Sequence, residues 1–329
     1  MQIGDIKKLL INHIEEGDGL MFLSIVIPCF NEEGVLDELY GVLRKEINKN
    51  EKISSYELIF VDDGSKDKTL EDIKRLKKSD DLIRYISFSR NFGKEAAIYA
   101  GLKASKGDLV VLMDADLQHP PELIHEMIDK IVNHGYDSVG TIRKNRVGES
   151  KLRAFLSTTF YKFINLLSDT EIKQNATDYR MMTRQFVNSV LDLSEYNRFT
   201  KGIFSWVGYN NIDIEYENID RTTGTSKWNF MNLFKYSIEG IVAFSTMPLF
   251  VSSILGIVSF IISSVLLLIF FFKAIIFGEV VKGFPTVICS IFFLGGIQLL
   301  TIGILGQYLS KTYLEVKSRP IYISKEKSE

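Results

Sequence analysis

The sequence predicts an α/β fold, an open sheet flanked by helices, followed by a two-helix transmembrane hairpin. Three observations carry that expectation. First, short apolar runs at 23–28, 58–61 and 109–113 each stop at polar loop chemistry, respectively Asn31-Glu32-Glu33, Asp62-Asp63-Gly64-Ser65 and Asp114-Ala115-Asp116. Second, stretches of helical periodicity separate these runs, and strands alternating with helices place the ligand crevice of an open sheet at the strand carboxyl ends. Third, no charged residue occurs between Glu239 and Lys273 or between Lys282 and Lys311, and each gap exceeds the roughly 20 apolar residues that cross a bilayer.

Taken in order, residues 1–20 are charged and lack the apolar core of a signal peptide. They read as an N-terminal extension, either a dispensable helix or a consequence of start-site choice. After the first strand, Val35, Leu36, Leu39, Val42, Leu43 and Ile47 recur at helical spacing, and residues 69–76 do the same after the second. Residues 85–88 read as a strand, followed by the loop 89–95 and a helix at 96–104. Gly93 at that helix start either lets backbone approach a phosphate or is a plain loop-to-helix turn. Pro120-Pro121 closes the Asp114–Asp116 turn and starts a helix running to about Asn133. A strand at 138–142 ends at Arg143, and Lys144 and Arg146 read as a solvated basic turn. Residues 151–167 form a long aromatic helical pattern, and Ile212, Ile214 and Tyr216 alternate as a half-buried strand. In 229–244, Phe230, Leu233, Phe234, Ile238, Ile241 and Val242 share one helical face, which suits a helix lying in the headgroup layer or packed on the soluble domain. The spans follow at about 249–272 and 284–309.

The turn at Asp114 carries chemistry. In strand-like backbone, side chains two apart share a face. Two hard oxygen donors at that spacing repel unless a divalent cation such as Mg²⁺ or Mn²⁺ lies between them and a phosphate. Alone the pair reads equally as a solvated turn. Pro28-x-Phe30-Asn31-Glu32, Asp62-Asp63-Gly64-Ser65 and Asp114-x-Asp116, in that order, resemble the signatures of the family 2 nucleotide-sugar glycosyltransferases. With Asn175-Ala176-Thr177-Asp178-Tyr179-Arg180-Met181-Met182, the Arg221-x-x-Gly224-x-Ser226-Lys227 loop and Phe244-Ser245-Thr246-Met247-Pro248, the chain is similar to the bacterial polyprenyl-phosphate glycosyltransferases over about residues 21–319. These are relatives of dolichol-phosphate mannose synthase and include the bactoprenol glucosyltransferases.

The resemblance implies a Rossmann-like open mixed sheet that binds a nucleotide sugar. It divides the chain into an extension (1–20), a cytoplasmic catalytic domain (21–228), an amphipathic juxtamembrane helix (229–248), two transmembrane helices (249–309) and a cytoplasmic tail (310–329). It implies that Pro28, Asn31, Glu33, Asp62 and Asp63 line the nucleotide site, joined by Gly93, Lys94 and Asp114. Asp114, Asp116 and Gln118 would hold Mg²⁺ or Mn²⁺ and the diphosphate, and Arg143, Arg180, Arg221, Ser226 and Lys227 would meet the acceptor phosphate. Crowding of two anionic substrates independently calls for such cations. The catalytic set is Asp116, Asp178 and Lys227. Asp178 is expected to orient the acceptor or a cationic neighbour such as Arg180, with general base and helix cap as alternatives, because a phosphate monoester with a second pKa of about 6 needs no strong base. His119 reads as a turn residue, since these cations favour oxygen donors.

The implied reaction is inverting transfer of a sugar, glucose from UDP-glucose first, onto undecaprenyl phosphate, giving a lipid-linked donor for cell-envelope glycans. Mannose, N-acetylhexosamine and aminoarabinose donors are alternatives. A processive polysaccharide synthase would need a Gln/Arg-x-x-Arg-Trp motif that Trp206 and Trp228 do not supply, and more spans. A scaffold that only binds nucleotide sugar would not need intact Asp114, Asp116 and Gln118. A dehydrogenase or phosphate-loop ATPase would need glycine motifs that do not occur. A net charge of -2 gives no case for nucleic acid. Cys29 and Cys289 read as packing residues, not a disulfide. Lys311, Lys317, Arg319, Lys325 and Lys327 follow the spans, and Arg221, Lys227 and Lys235 precede them, against Lys273 and Lys282 in the connection. That bias places the catalytic domain and tail of a multi-pass plasma-membrane protein in the cytoplasm. Homo-oligomerisation is left open.

Overall fold

The computed structural model describes residues 20–144, 176–217, 245–277 and 283–328. The expected helices at 151–167 and 229–244, the loop bearing Arg221, Ser226 and Lys227, and the extension before Leu20 lie outside them. The chain forms two compact units: Met1–Tyr161, Glu171–Lys227 and Pro320–Glu329 make the first, and Lys162–Thr170 with Trp228–Arg319 make the second.

The first unit is built on an eight-stranded mixed sheet. Its strands are β1 (Met21–Cys29), β2 (Ile53–Asp62), β3 (Ile83–Phe88), β4 (Leu109–Leu112), β5 (Ser138–Arg143), β6 (Ala176–Thr183), β7 (Asn211–Tyr216) and β8 (Ser324–Lys327). They lie in the order β7-β5-β6-β4-β1-β2-β3-β8. β1 pairs in parallel with β2 and β4, and β2 with β3. Such strands are covered on both faces, which is why Ile25, Val26, Ile27, Leu58, Ile59, Phe60, Val110 and Val111 are all buried and read as continuous apolar runs.

The covering helices are α1 (Leu36–Ile47), α2 (Thr69–Ser79), α3 (Lys94–Ala104), α4 (Leu123–Val132), α5 (Arg184–Asp192) and α6 (Thr200–Trp206). α1 buries Leu36, Leu39, Leu43 and Ile47, and carries Asp37 and Glu38 in its first turn and Arg44 and Lys45 in its last, matching the helix dipole. Cys29 is buried in the core, as its packing role requires, and burial pushes its thiol pKa up.

Two strands depart from expectation. β6 was legible only as a motif. It runs antiparallel to both β4 and β5 and so reverses the sheet. β8 falls in the expected tail, yet it pairs antiparallel with β3, and residues 320–329 belong to the sheet unit.

In the second unit, α7 (Met247–Phe277) and α8 (Phe284–Val316) run past the expected spans at 249–272 and 284–309. Both are long and apolar enough to cross a membrane. Phe250, Ile257 and Phe260 on α7 and Ile291, Leu299 and Ile302 on α8 are exposed. The Tyr308 hydroxyl donates to the Ser245 carbonyl.

Candidate active site

Because β1 to β4 are mutually parallel, Cys29, Asp62, Phe88 and Leu112 end at one edge of the sheet. β5 and β7, paired in parallel, end there too at Arg143 and Tyr216. β6 starts at that edge. It places Arg180 opposite Leu112, and Asp178 lies two residues before Arg180 on the same strand.

The loops after β1 and β2 are laced together. Asn31, in left-handed backbone at φ 55°, accepts the Lys66 N–H at 2.9 Å and donates its own N–H to Ser65 Oγ at 3.0 Å. The Glu32 N–H reaches Thr69 Oγ1 at 2.8 Å, and Glu33 N–H reaches Asp67 at 3.2 Å. Pro28 is half-buried at the strand end and Glu33 is exposed beside Lys68. Asp62 and Asp63, expected against the nucleotide, are only 1% and 3% exposed. Asp62 accepts from Ser65 N–H and the Ser87 hydroxyl. Asp63 accepts from the Phe92 and Gly93 amides at 2.7 and 3.0 Å. Burial raises the Asp63 pKa, and those amides offset part of the rise. Both carboxylates hold the loops that frame the strand ends. The Gly93 N–H donates to Asp63, and its φ of 97° is what calls for glycine there.

Lys94 opens α3 and extends its ammonium to Asp114 and Asp178, 2.6 Å from each. Lys201 of α6 stands 3.9 Å from Asp178 and donates to the Ala176 carbonyl. Burial alone would raise the Asp178 pKa, but the Lys94 and Lys201 charges outweigh it and hold the carboxyl well below the usual range. For Lys94 burial opposes the charge, and Asp178 and Asp114 reverse that, raising its pKa. The Lys94 side chain remains 44% exposed, so this ion cluster opens to solvent.

In the 114–118 turn, Leu117 adopts φ 57° and Asp116 accepts the Gln118 N–H at 3.2 Å. Asp114, Asp116 and Gln118 offer oxygen donors alone, the set that Mg²⁺ and Mn²⁺ take. Lys94 pairs with Asp114 here, so an ion held by this turn would share or displace that ammonium. Arg143 Nη2 donates to Gln118 Oε1 at 3.2 Å and its Nε to the Tyr216 hydroxyl at 3.1 Å. Lys144 points to Glu215 at 4.0 Å, as a solvated turn would.

His119 is buried, beyond what a turn residue implies. Its ring stacks on Tyr179 at 5.1 Å, and its Nδ1 accepts from the Asp114 N–H at 3.4 Å. Burial lowers its pKa, against the pull of Asp114 and Asp116. Arg180 lies on β6. Its guanidinium is enclosed, donating to Ser138 Oγ at 2.7 Å and to Asp213 at 3.3 Å beneath Phe204. The cations paired with Asp178 are Lys94 at 2.6 Å and Lys201 at 3.9 Å. Lys201 and Tyr216 are the site residues that sequence reasoning missed. Lys201 has no motif, whereas Tyr216 could have been found from its place at a strand end beside Arg143.

The family model described as glycosyl transferase family 2 matches residues 24–191. The putative glycosyltransferase CsbB of Bacillus subtilis is 44% identical over 304 residues, 92% of this chain and 91% of that protein. The bactoprenol glucosyl transferase of Shigella phage SfX is 41% identical over 313 residues, 93% of this chain and 100% of that one. A prophage bactoprenol glucosyl transferase homolog of Escherichia coli is 40% identical over 311 residues, 93% of this chain and 99% of that one.

Proposed function

The chain belongs to glycosyl transferase family 2, and from that premise we propose that it moves a hexose, glucose from UDP-glucose, onto undecaprenyl phosphate with inversion at a membrane surface. The observation that carries this reading is the meeting of Gln118 and Arg143 beside the Asp114–Lys94–Asp178 cluster. Oxygen donors for a metal diphosphate and a cation for a second phosphate share one strand edge. Relatives named as bactoprenol glucosyl transferases, matched over nearly their whole length, support the polyprenyl acceptor.

The acceptor phosphate, with a second pKa of about 6, is largely dianionic at neutral pH. Its oxygen attacks the anomeric carbon from the face opposite the nucleoside diphosphate, the bond to the diphosphate oxygen breaks, and the diphosphate departs with the electron pair. No strong base is required, and a carboxyl held at low pKa is a poor one. Asp178 therefore orients Lys94 toward the substrates. Arg143, with Arg221, Ser226 and Lys227, neutralises the acceptor phosphate. Mg²⁺ or Mn²⁺ held by Asp114, Asp116 and Gln118 would supply Lewis-acid stabilisation of the leaving diphosphate. α7 and α8 cross the membrane as a hairpin, with the catalytic domain of residues 21–228 and the tail cytoplasmic.

The test is a transfer assay on the purified full chain with undecaprenyl phosphate and radiolabelled UDP-glucose, GDP-mannose or UDP-N-acetylglucosamine. Lipid-extractable label is expected from UDP-glucose. Label from another donor alone overturns the sugar, and label from none overturns the reaction.

A further inference from the structure

We propose that the C-terminal segment Tyr322–Ser328 is a positioning element for the donor site, setting the loop that carries Lys94. The proposal rests on reading this strand edge as the donor site. β8 is Ser-Lys-Glu-Lys and mostly exposed, so it adds almost no apolar burial. What it changes is the edge that it covers. Its ladder pairs Ile86 with Lys327 and Phe88 with Ser324, and the hydrogen bonding continues past β3 into the loop, where Ser89 N–H donates to the Ile323 carbonyl at 2.9 Å.

Side chains extend the contact toward the site. The Tyr322 ring stacks on Phe88 at 4.8 Å and 19°, and Phe88 meets Phe92 edge-on at 5.7 Å. Phe92 and Gly93 give their amides to Asp63, and the next residue is Lys94, on Asp114 and Asp178. The contacts thus run unbroken from Tyr322 to that ammonium. The far end of β8 is fastened separately, by Lys74 to Glu326 at 2.7 Å and by the Tyr85 N–H to Ser328 Oγ at 2.7 Å.

The test compares Tyr322→Ala and Tyr322→Phe in the full chain, by hydrogen exchange at residues 89–94 and by Michaelis constants for donor and acceptor. Tyr322→Ala is expected to speed exchange at the Phe92 and Gly93 amides and to raise the donor constant about threefold to tenfold, the worth of an aromatic pair. The acceptor constant should hold, and Tyr322→Phe should restore both readouts. Unchanged exchange at 89–94 in Tyr322→Ala overturns the proposal, as does an equal rise in both constants. If the wild-type chain transfers no sugar, the functional reading fails while the exchange measurement still decides the coupling.

Discussion

Asp116, Asp178 and Lys94 differ in what each contributes, and the difference is measurable. Asp116→Ala should cost on the order of 10² to 10³ in rate, the usual loss for a contact to developing charge, and excess chelator should abolish transfer in the wild type. Full activity in chelator would remove the metal from the scheme. Asp178 bears on pH. Its folded pKa is depressed, so the stability it contributes is present above about pH 4, its unfolded value, and is lost as pH falls through the folded one. It therefore does not titrate between pH 5 and 8. The acidic limb of kcat/KM should lie near the acceptor phosphate's second pKa, about 6, and Asp178→Asn should lower kcat while leaving that limb in place. A limb that vanished with the carboxyl would make Asp178 the base. The Asp114–Asp116 pair was legible in the sequence because its spacing is local. Lys94 as the partner of Asp178 was not, since the two lie on a helix and a strand 84 residues apart and meet only in the fold. The pairing of Arg180 with Asp213 was hidden in the same way: a motif shows that a cation is near a carboxylate in sequence, and not which distant carboxylate it meets.

The loop elements at the strand ends depend on close backbone approach. Gly64 has φ 68°, and a Cβ there would lie 2.5 Å from the Arg90 carbonyl carbon and 2.8 Å from Asn91 N. Gly64→Ala should cost about 1 to 3 kcal/mol by denaturant melts, and should raise the donor Michaelis constant by displacing the 89–93 loop. An unchanged melt would mean that the two loops can separate freely. The 221–227 loop carries a different expectation. Lys227→Ala should raise the constant for undecaprenyl phosphate about tenfold to a hundredfold, the worth of a charge-assisted bond, and leave the donor constant unchanged. An equal effect on both would move Lys227 to the diphosphate. Strands β1, β2 and β4 were legible because central strands are continuous apolar runs. β6 was not, since Asp178 and Arg180 interrupt its apolar pattern, and α6 was not, because its cap comes from afar: Glu95 accepts both the Thr200 N–H and its hydroxyl. β8 has no apolar alternation at all, and only the exposed edge of β3 calls it into the sheet.

At the scale of the whole molecule, the order of elements along the chain constrains topology. β3 precedes both apolar helices and β8 follows both, yet the two are hydrogen-bonded neighbours. Whatever crosses a membrane between them must cross an even number of times, as α7 and α8 would if both span it. On the proposed topology, the Lys and Arg excess on the flanks would put that shared side in the cytoplasm. The charge-free stretches made the hairpin legible in the sequence, whereas its closure by β8 needed the structure. Placing a single thiol at Glu279, between the helices, in a Cys29→Ala and Cys289→Ala background turns this into a measurement. In intact cells the Glu279→Cys thiol should react with a membrane-impermeant maleimide, while a thiol introduced at Lys325, on β8, should react only after permeabilisation. Labelling at 279 only after permeabilisation would reverse the orientation. Equal labelling of both sites in intact cells would place β8 outside with the connection, and that would be incompatible with its pairing to a cytoplasmic β3.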